Sequence, residues 1–330
     1  MRTLTTIARG AYLARRLASR KRADCTTLQQ ALDEGLKLYK WDGKSPNPLV
    51  DALHYVCGTL GGIPGAVDEW ADNLKKADSA MSAAAEALNF KTSDRRGSFG
   101  TMAYGTSYGG GQKRPGLLCH SKHNLSILQH LMADRSIQRI VSFQSSVFAF
   151  YAPKLYRDYA TNMDALHQKY PELKYNWRTS VFPAVSFNFG PRAVTVEHRD
   201  HGNRAVGWCA ITAGGNYDPR LGGHLILREL GIVIEFPPGA TICIPSACLT
   251  HGNVPIRDGE TRWSITQYAA GGLFRFVDYG FRTWAQLKQA GNGLADKVLE
   301  ERDGRWLKEL ELLSKIEELH ADRENAGLLK

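Results

Sequence analysis

The chain has 330 residues, 43% hydrophobic and 23% charged, which is ordinary globular usage and excludes a disordered tail or a fibrous repeat. No apolar run approaches the roughly 18 residues of a membrane span, and six cysteines in so long a chain exclude a dense disulfide framework. The formal charge of +9 is concentrated in two stretches: residues 1–25 carry seven Arg or Lys against one Asp, and residues 91–123 carry six against one. Clustered positive charge suits a phosphate backbone or a solvated surface.

In chain order, the opening MRTLTTIARGAYLARRLASRKR is free of acid and rich in Arg. It reads either as an organelle transit peptide or as a basic arm serving nuclear import or DNA contact. Residues 26–90 are expected to be helical, with Thr26 and Thr27 as cap candidates before LQQALDEGLKLYK and strong helix formers in ADNLKKADSAMSAAAEAL. We expect residues 1–90 to form a basic arm and helical extension, and residues 91–330 the functional domain.

The Gly-rich stretch GSFGTMAYGTSYGGGQKRPG lacks the GK[ST] ending of a phosphate-cradling loop, so nucleoside triphosphate binding is rejected. Cys119, His120 and His123 form a single zinc-like cluster without a second pair, and are read as structural. From Leu117 to about Tyr175 the pattern is helical, with Leu125, Leu128 and Leu131 at helical spacing.

From Ser180 the character changes to short β-rich runs broken by Gly and Pro: VFPAVSFNF, AVTVEHRD, VGWCAIT, GGHLILREL, IVIEF, ATICIPS and RWSITQY. Seven such runs in about 90 residues predict a barrel or jelly roll over residues 181–281. The tail, residues 283–330, reads as helices with exposed faces, as in WLKELELLSKIEELH. The expected class is α+β, a double-stranded β-helix with N-terminal and C-terminal helices packed around it.

Within AVTVEHRD, the strand period of two puts His198 and Asp200 on one face, so both can bind one ion. His251 in PSACLTHGN, 53 positions after His198, supplies a third ligand at the end of a later β-run. Two His and one carboxylate on one face of an octahedron leave three positions open, the arrangement of non-haem iron(II) oxygenases. Arg262 follows His251 by 11 residues in GETRWSITQY, with Ser264 on the same strand face. A guanidinium fork there matches the distal carboxylate of 2-oxoglutarate.

These residues resemble the TET and JBP branch of 2-oxoglutarate dioxygenases, including its fungal members, which oxidise the methyl group of 5-methylcytosine or thymine in DNA. The resemblance runs from about Gly97 to Phe281 and is most specific at HRDHGN, GGHLILREL, PSACLTHGN and RWSITQY. It implies that His198, Asp200 and His251 hold Fe(II), and that Arg262, Ser264 and His224 bind 2-oxoglutarate. It further implies that Asn203 hydrogen-bonds a flipped base and that Tyr268 stacks on it. The basic Lys113 and Arg114 stand as phosphate contacts.

In one place the chain departs from the pattern. Family members acting on 5-methylcytosine often carry a base-contacting His two positions beyond the stacking aromatic, where this chain has Ala270. N6-methyladenine is therefore an alternative base. A protein or small-molecule hydroxylase, a non-catalytic nucleic-acid binder and a cupin-like metal protein are the further alternatives. The expected partner is DNA, the expected compartment the nucleus and the favoured state a monomer.

Overall fold

The computed structural model describes residues 8, 10–16, 25–90, 96–291 and 293–328. The basic arm expected over residues 1–22 therefore lies largely outside the described residues. The first half of the chain contains α1 (Leu28–Asp33), β1 (Lys37–Tyr39), β2 (Asn47–Val50), β3 (Val56–Gly62), α2 (Val67–Ala87), β4 (Thr101–Ser107) and β5 (Gly116–Leu117). Three consecutive helices follow, α3 (Lys122–Ala133), α4 (Arg135–Tyr151) and α5 (Pro153–Lys169). Then come β6 (Ala184–Asn188), β7 (Cys209–Asn216), β8 (Leu225–Leu227), β9 (Ile232–Ile234), β10 (Thr241–Ile244), β11 (His251–Asn253) and β12 (Thr261–Tyr268). The chain closes with α6 (Gly271–Asp278), α7 (Trp284–Gln289), α8 (Leu294–Glu301), α9 (Arg305–Leu310) and α10 (Leu319–Asn325).

The strands divide between an eight-stranded sheet, β2-β3-β10-β7-β12-β6-β4-β5, and a four-stranded sheet, β1-β9-β8-β11. From β6 onward the chain passes back and forth between the two sheets, pairing β7 with β10 and β12 in one and β8 with β9 and β11 in the other. That alternation is the winding of a double-stranded β-helix. The seven β-runs expected after Ser180 become strands at six places. The exception is AVTVEHRD, which forms no regular strand: His198 makes an isolated bridge to His251, and Arg192, just before the run, makes one to Arg262.

Residues 26–90 depart from the helical expectation. Thr27 caps α1 in a reciprocal capping box with Gln30, and α2 is helical as expected, but β1, β2 and β3 lie between them. β3 extends the large sheet beyond β10, and β1 pairs in parallel with β9 in the small one. The run VCGTLGG is buried on both faces, so it lacks the alternation that distinguishes a half-buried strand. Strands from within the expected extension are thus hydrogen-bonded into both sheets.

Two layers of packing follow from strand alternation. On β12, Trp263, Ile265 and Gln267 point outward to the helices, where Trp263 and Ile265 join Phe187 and Phe189 of the β6 segment, Ile137 and Ile140 of α4 and Trp70 of α2. Each large buried side chain there contributes roughly 1.5–3 kcal/mol. The buried amide of Gln144 on α4 donates to Thr212 Oγ1 and the Ile265 carbonyl, which sets the helix against the sheet. The alternate residues Arg262, Ser264, Thr266 and Tyr268 point inward, toward the space between the sheets.

Candidate active site

Between the two sheets lies a cavity of about 900 Å³, walled by β4, β6, β12, the Leu118–Ser121 segment and the chain around His198 and His251. The segment carrying His198 is held without a regular strand. His198 and His251 exchange backbone hydrogen bonds, each 2.9 Å, Asn253 donates to the Thr195 carbonyl, and Val196 donates to the Arg96 carbonyl. Asp200 N donates to the Ser246 carbonyl, which closes the turn after the segment.

These bonds bring three donors together. His198 Nε2 lies 3.5 Å from Asp200 Oδ1, His251 Nε2 lies 3.8 Å from Asp200 Oδ2, and the two imidazole rings are 4.4 Å apart. One ligand atom from each residue lies within 4.8 Å of the others, the one such group among the described residues. In both histidines Nδ1 sits 2.9 Å from a carbonyl oxygen two residues earlier, that of Val196 for His198 and of Leu249 for His251. A carbonyl only accepts, so each ring carries its proton on Nδ1 and turns the Nε2 lone pair to the shared point. The three atoms are placed so that they can hold one metal ion from a single face.

The electrostatics agree with that reading. Burial pushes the Asp200 carboxyl up, but the Arg96 guanidinium 2.5 Å away and the two histidines hold it well below the usual carboxylate range. His251 is lowered to about 4, by burial and by the neighbouring His198. At neutral pH the group therefore presents a carboxylate and a neutral His251, the forms that coordinate a cation.

Arg262 lies in the same cavity, only 2% exposed. One Nη donates to the Ala193 carbonyl at 2.5 Å, while Nε is buried without a partner and no carboxylate among the described residues pairs with the guanidinium. A buried cation without a counter-ion is costly, so the arrangement fits an anionic ligand entering the cavity. Ser264 lines the wall beside it and accepts a hydrogen bond from Asn188 at 3.0 Å. The donor set thus fits Fe(II), and Arg262 with Ser264 fits the distal carboxylate of 2-oxoglutarate.

The other expected residues divide. Asn203 and Tyr268 line the cavity, Asn203 with its amide donating to Ser246 Oγ at 3.1 Å. His224 is fully buried behind the wall, adjacent to Leu225, with neither ring nitrogen hydrogen-bonded, and it does not line the cavity. Lys113 and Arg114 are exposed in the β4–β5 loop and do not line it either, and Arg114 reaches Glu172 at 3.5 Å. Among the zinc-like residues, His120 and His123 each meet a backbone carbonyl, in keeping with a structural role.

Sequence reasoning missed Arg96, Asn188 and Tyr217. Arg96 was visible only as part of a charge run. Tyr217, whose hydroxyl donates to the Phe236 carbonyl beside Arg262, carries no motif.

No family model matches the chain, and no curated protein matches it. Solved structures similar in fold include NgTET1 in complex with 5mC DNA, with 14% identity, 72% of this chain and 83% of that chain covered, and a TM-score of 0.43. Another is a 2OG-Fe(II) oxygenase family oxidoreductase from Burkholderia pseudomallei, with 16% identity, 63% and 92% covered, and a TM-score of 0.34. A third is the viral collagen prolyl hydroxylase vCPH of Paramecium Bursaria Chlorella virus-1, with 10% identity, 58% and 88% covered, and a TM-score of 0.29.

Two consequences can be measured on the metal-free protein. A Cβ at Gly252 would lie 2.9 Å from both Thr195 O and Glu197 N, on the segment that carries His198. Gly252→Ala is therefore expected to cost about 1–3 kcal/mol of stability and to weaken Fe(II) binding, read by thermal denaturation and by metal titration. Unchanged iron affinity would show that the segment is not held by this contact.

Burial lowers His224 from 6.5 to about 4. Between those values the unfolded chain binds a proton that the folded chain refuses, so stability is complete above pH 6.5 and falls as the pH drops toward 4. His251 adds to the same window. Each contributes a slope of up to about 1.4 kcal/mol per pH unit, and His224→Leu should remove one of the two in urea denaturation series. An unchanged slope would place the His224 ring in contact with water.

Proposed function

We propose that the chain is an Fe(II)- and 2-oxoglutarate-dependent dioxygenase of the TET and JBP branch, of its fungal type, that oxidises the methyl group of 5-methylcytosine in DNA. The observation that carries the oxygenase reading is the unpaired guanidinium of Arg262, buried in the same cavity as the His198, Asp200 and His251 donors. A metal protein without 2-oxoglutarate has no use for that charge.

In this reading His198, Asp200 and His251 hold the metal, and Arg262 and Ser264 orient the cosubstrate by its distal carboxylate. Iron(II) and 2-oxoglutarate, when bound, supply the O2-dependent oxidation of the methyl group, with succinate and CO2 as coproducts. The chain's part is to hold, orient and exclude water. His224, neutral and with its ring unpartnered, is assigned a supporting place behind the cosubstrate.

A methyl group inside a duplex cannot reach the cavity, so the nucleotide is flipped out at a cost of a few kcal/mol. The cavity has volume beyond the triad for such a base. Tyr268 is assigned to stack on it and Asn203 to hydrogen-bond its edge. Lys113 and Arg114 are assigned to the phosphates beside it. A nuclear location and a monomeric state belong to the same proposal. The second reading, N6-methyladenine, is favoured by Ala270, which is small and largely buried where a base-contacting imidazole would otherwise stand.

The deciding experiment is mass spectrometry of nucleosides after incubation of the iron-loaded protein with 2-oxoglutarate and DNA carrying either base. Hydroxymethyl, formyl or carboxyl cytosine is the expected product, and loss of methyladenine reassigns the base. Succinate without change in either base removes the DNA substrate and leaves a protein or small-molecule hydroxylase. Independently, replacing Lys113 and Arg114 with Ala should weaken DNA binding across all sequences and lower its salt slope by about 1 for each residue. An unchanged slope would move the phosphate contacts elsewhere.

A further inference from the structure

A second cavity, about 230 Å³, lies between Ala8, Gly10, Tyr12 and Leu13 near the N-terminus and the C-terminal helices, and shares no lining residue with the cavity between the sheets. Three guanidiniums line it, Arg275 of α6, Arg302 after α8 and Arg305 of α9, together with the rings of Tyr12, Tyr279 and Trp284. Among the described residues no carboxylate-bearing side chain is in the wall.

The three charges are unequally neutralised. Arg305 pairs with Asp278 at 3.0 Å and reaches Glu301 at 4.0 Å, and its guanidinium lies 4.7 Å from the centre of the Tyr12 ring. Asp278 is committed further, because it accepts the Tyr12 hydroxyl proton at 2.6 Å. Among the described residues Arg302 has only the Asp303 carboxylate, 73% exposed and 3.5 Å from its Nε, a contact that makes no hydrogen bond, so that buried Nε is left without one. Arg275 has no carboxylate partner among the described residues. Two positive charges therefore face a partly enclosed cavity without full compensation, and one buried donor there has no hydrogen-bond acceptor, which is unfavourable.

We propose that this cavity binds a phosphate group. Three guanidinium forks offer more donors than the two oxygens of a carboxylate can accept, whereas a phosphate carries three strong acceptor oxygens and close to two negative charges. The aromatic and aliphatic wall, with the Tyr279 and Trp284 rings 5.7 Å apart, suits the organic part of a phosphate ester. The group is supplied by a phosphate monoester, either a free small molecule or the 5′-terminal phosphate of a nucleic-acid strand.

The test is isothermal titration of the full chain with inorganic phosphate. One saturable site is expected, retained in His198→Ala, which separates this cavity from the metal centre. Binding should weaken about tenfold or more in the Arg275→Ala, Arg302→Ala double variant, since two charge-assisted contacts are lost. Leu299→Glu keeps every arginine and places a carboxylate at the exposed rim of the cavity, so it guards against a folding defect in the double variant and should weaken binding similarly. Absence of saturable binding, or binding unchanged in both variants, overturns the proposal. Tighter binding of adenosine monophosphate than of inorganic phosphate assigns the site to free esters, and displacement of phosphate by a short single-stranded oligonucleotide only when it carries a 5′-phosphate assigns it to a strand end.

Discussion

His251→Ala is expected to lower Fe(II) affinity by more than about 100-fold, because loss of an outer partner of a metal ligand alone costs roughly 10–100-fold and here a ligand itself is removed. Iron-dependent decarboxylation of 2-oxoglutarate should fall to background. Asp200→Ala should do the same for a different reason. Asp200 supplies the one negative charge among the three donors, and without it Arg96, now 2.5 Å from Oδ1, faces the two imidazoles with no counter-charge. The fold should survive both changes, since His251 is pinned through its backbone to His198 and Asp200 through its backbone to Ser246. The check is anaerobic Fe(II) titration together with succinate release. Turnover retained in either variant would remove the triad, whatever the substrate.

Arg262→Met is expected to separate cosubstrate binding from folding. Truncating one partner of a buried, hydrogen-bonded charge pair costs about 2–5 kcal/mol, so the KM for 2-oxoglutarate should rise by about 30-fold or more. In the ligand-free protein the same guanidinium is a buried charge that donates to the Ala193 carbonyl, lies beside the Tyr217 hydroxyl and leaves Nε without a partner. Replacing it with an apolar side chain of similar length is therefore expected to leave the ligand-free Tm unchanged or raised. The wild-type Tm should climb with 2-oxoglutarate concentration, as ligand binding to the folded state requires, and the variant's should not. A variant that loses stability without ligand would show that Arg262 serves the fold. Arg262→Lys keeps the charge without the planar fork and should recover only part of the affinity.

The sequence by itself singled out the three candidate ligands and Arg262, which the fold brings to one cavity. A β-run ending in His198-x-Asp200, a later run ending at His251 and a third carrying Arg262 and Ser264 are local patterns, and the two-residue period of a strand places Arg262, Ser264 and Tyr268 on one side. The jelly-roll class was equally legible, because short runs punctuated by Gly and Pro leave few architectures open. The helices from Lys122 to Lys169 showed themselves through a 3.6-residue period.

What only the tertiary structure decided depends on long-range pairing. β1 and β3 are strands because β9 and β10 offer them edges more than 170 residues away, a partner that no local pattern reports. The segment before Asp200 is held by bridges rather than a ladder because Arg96 and β11 grip it from two sides. Burial was decided there as well: His224 falls behind the cavity wall while Arg262 lines the cavity, although both are buried residues of β-runs. Spacing along a strand fixes which side a residue takes. Whether that side meets an open cavity or packed neighbours is set by the sheet that closes over it.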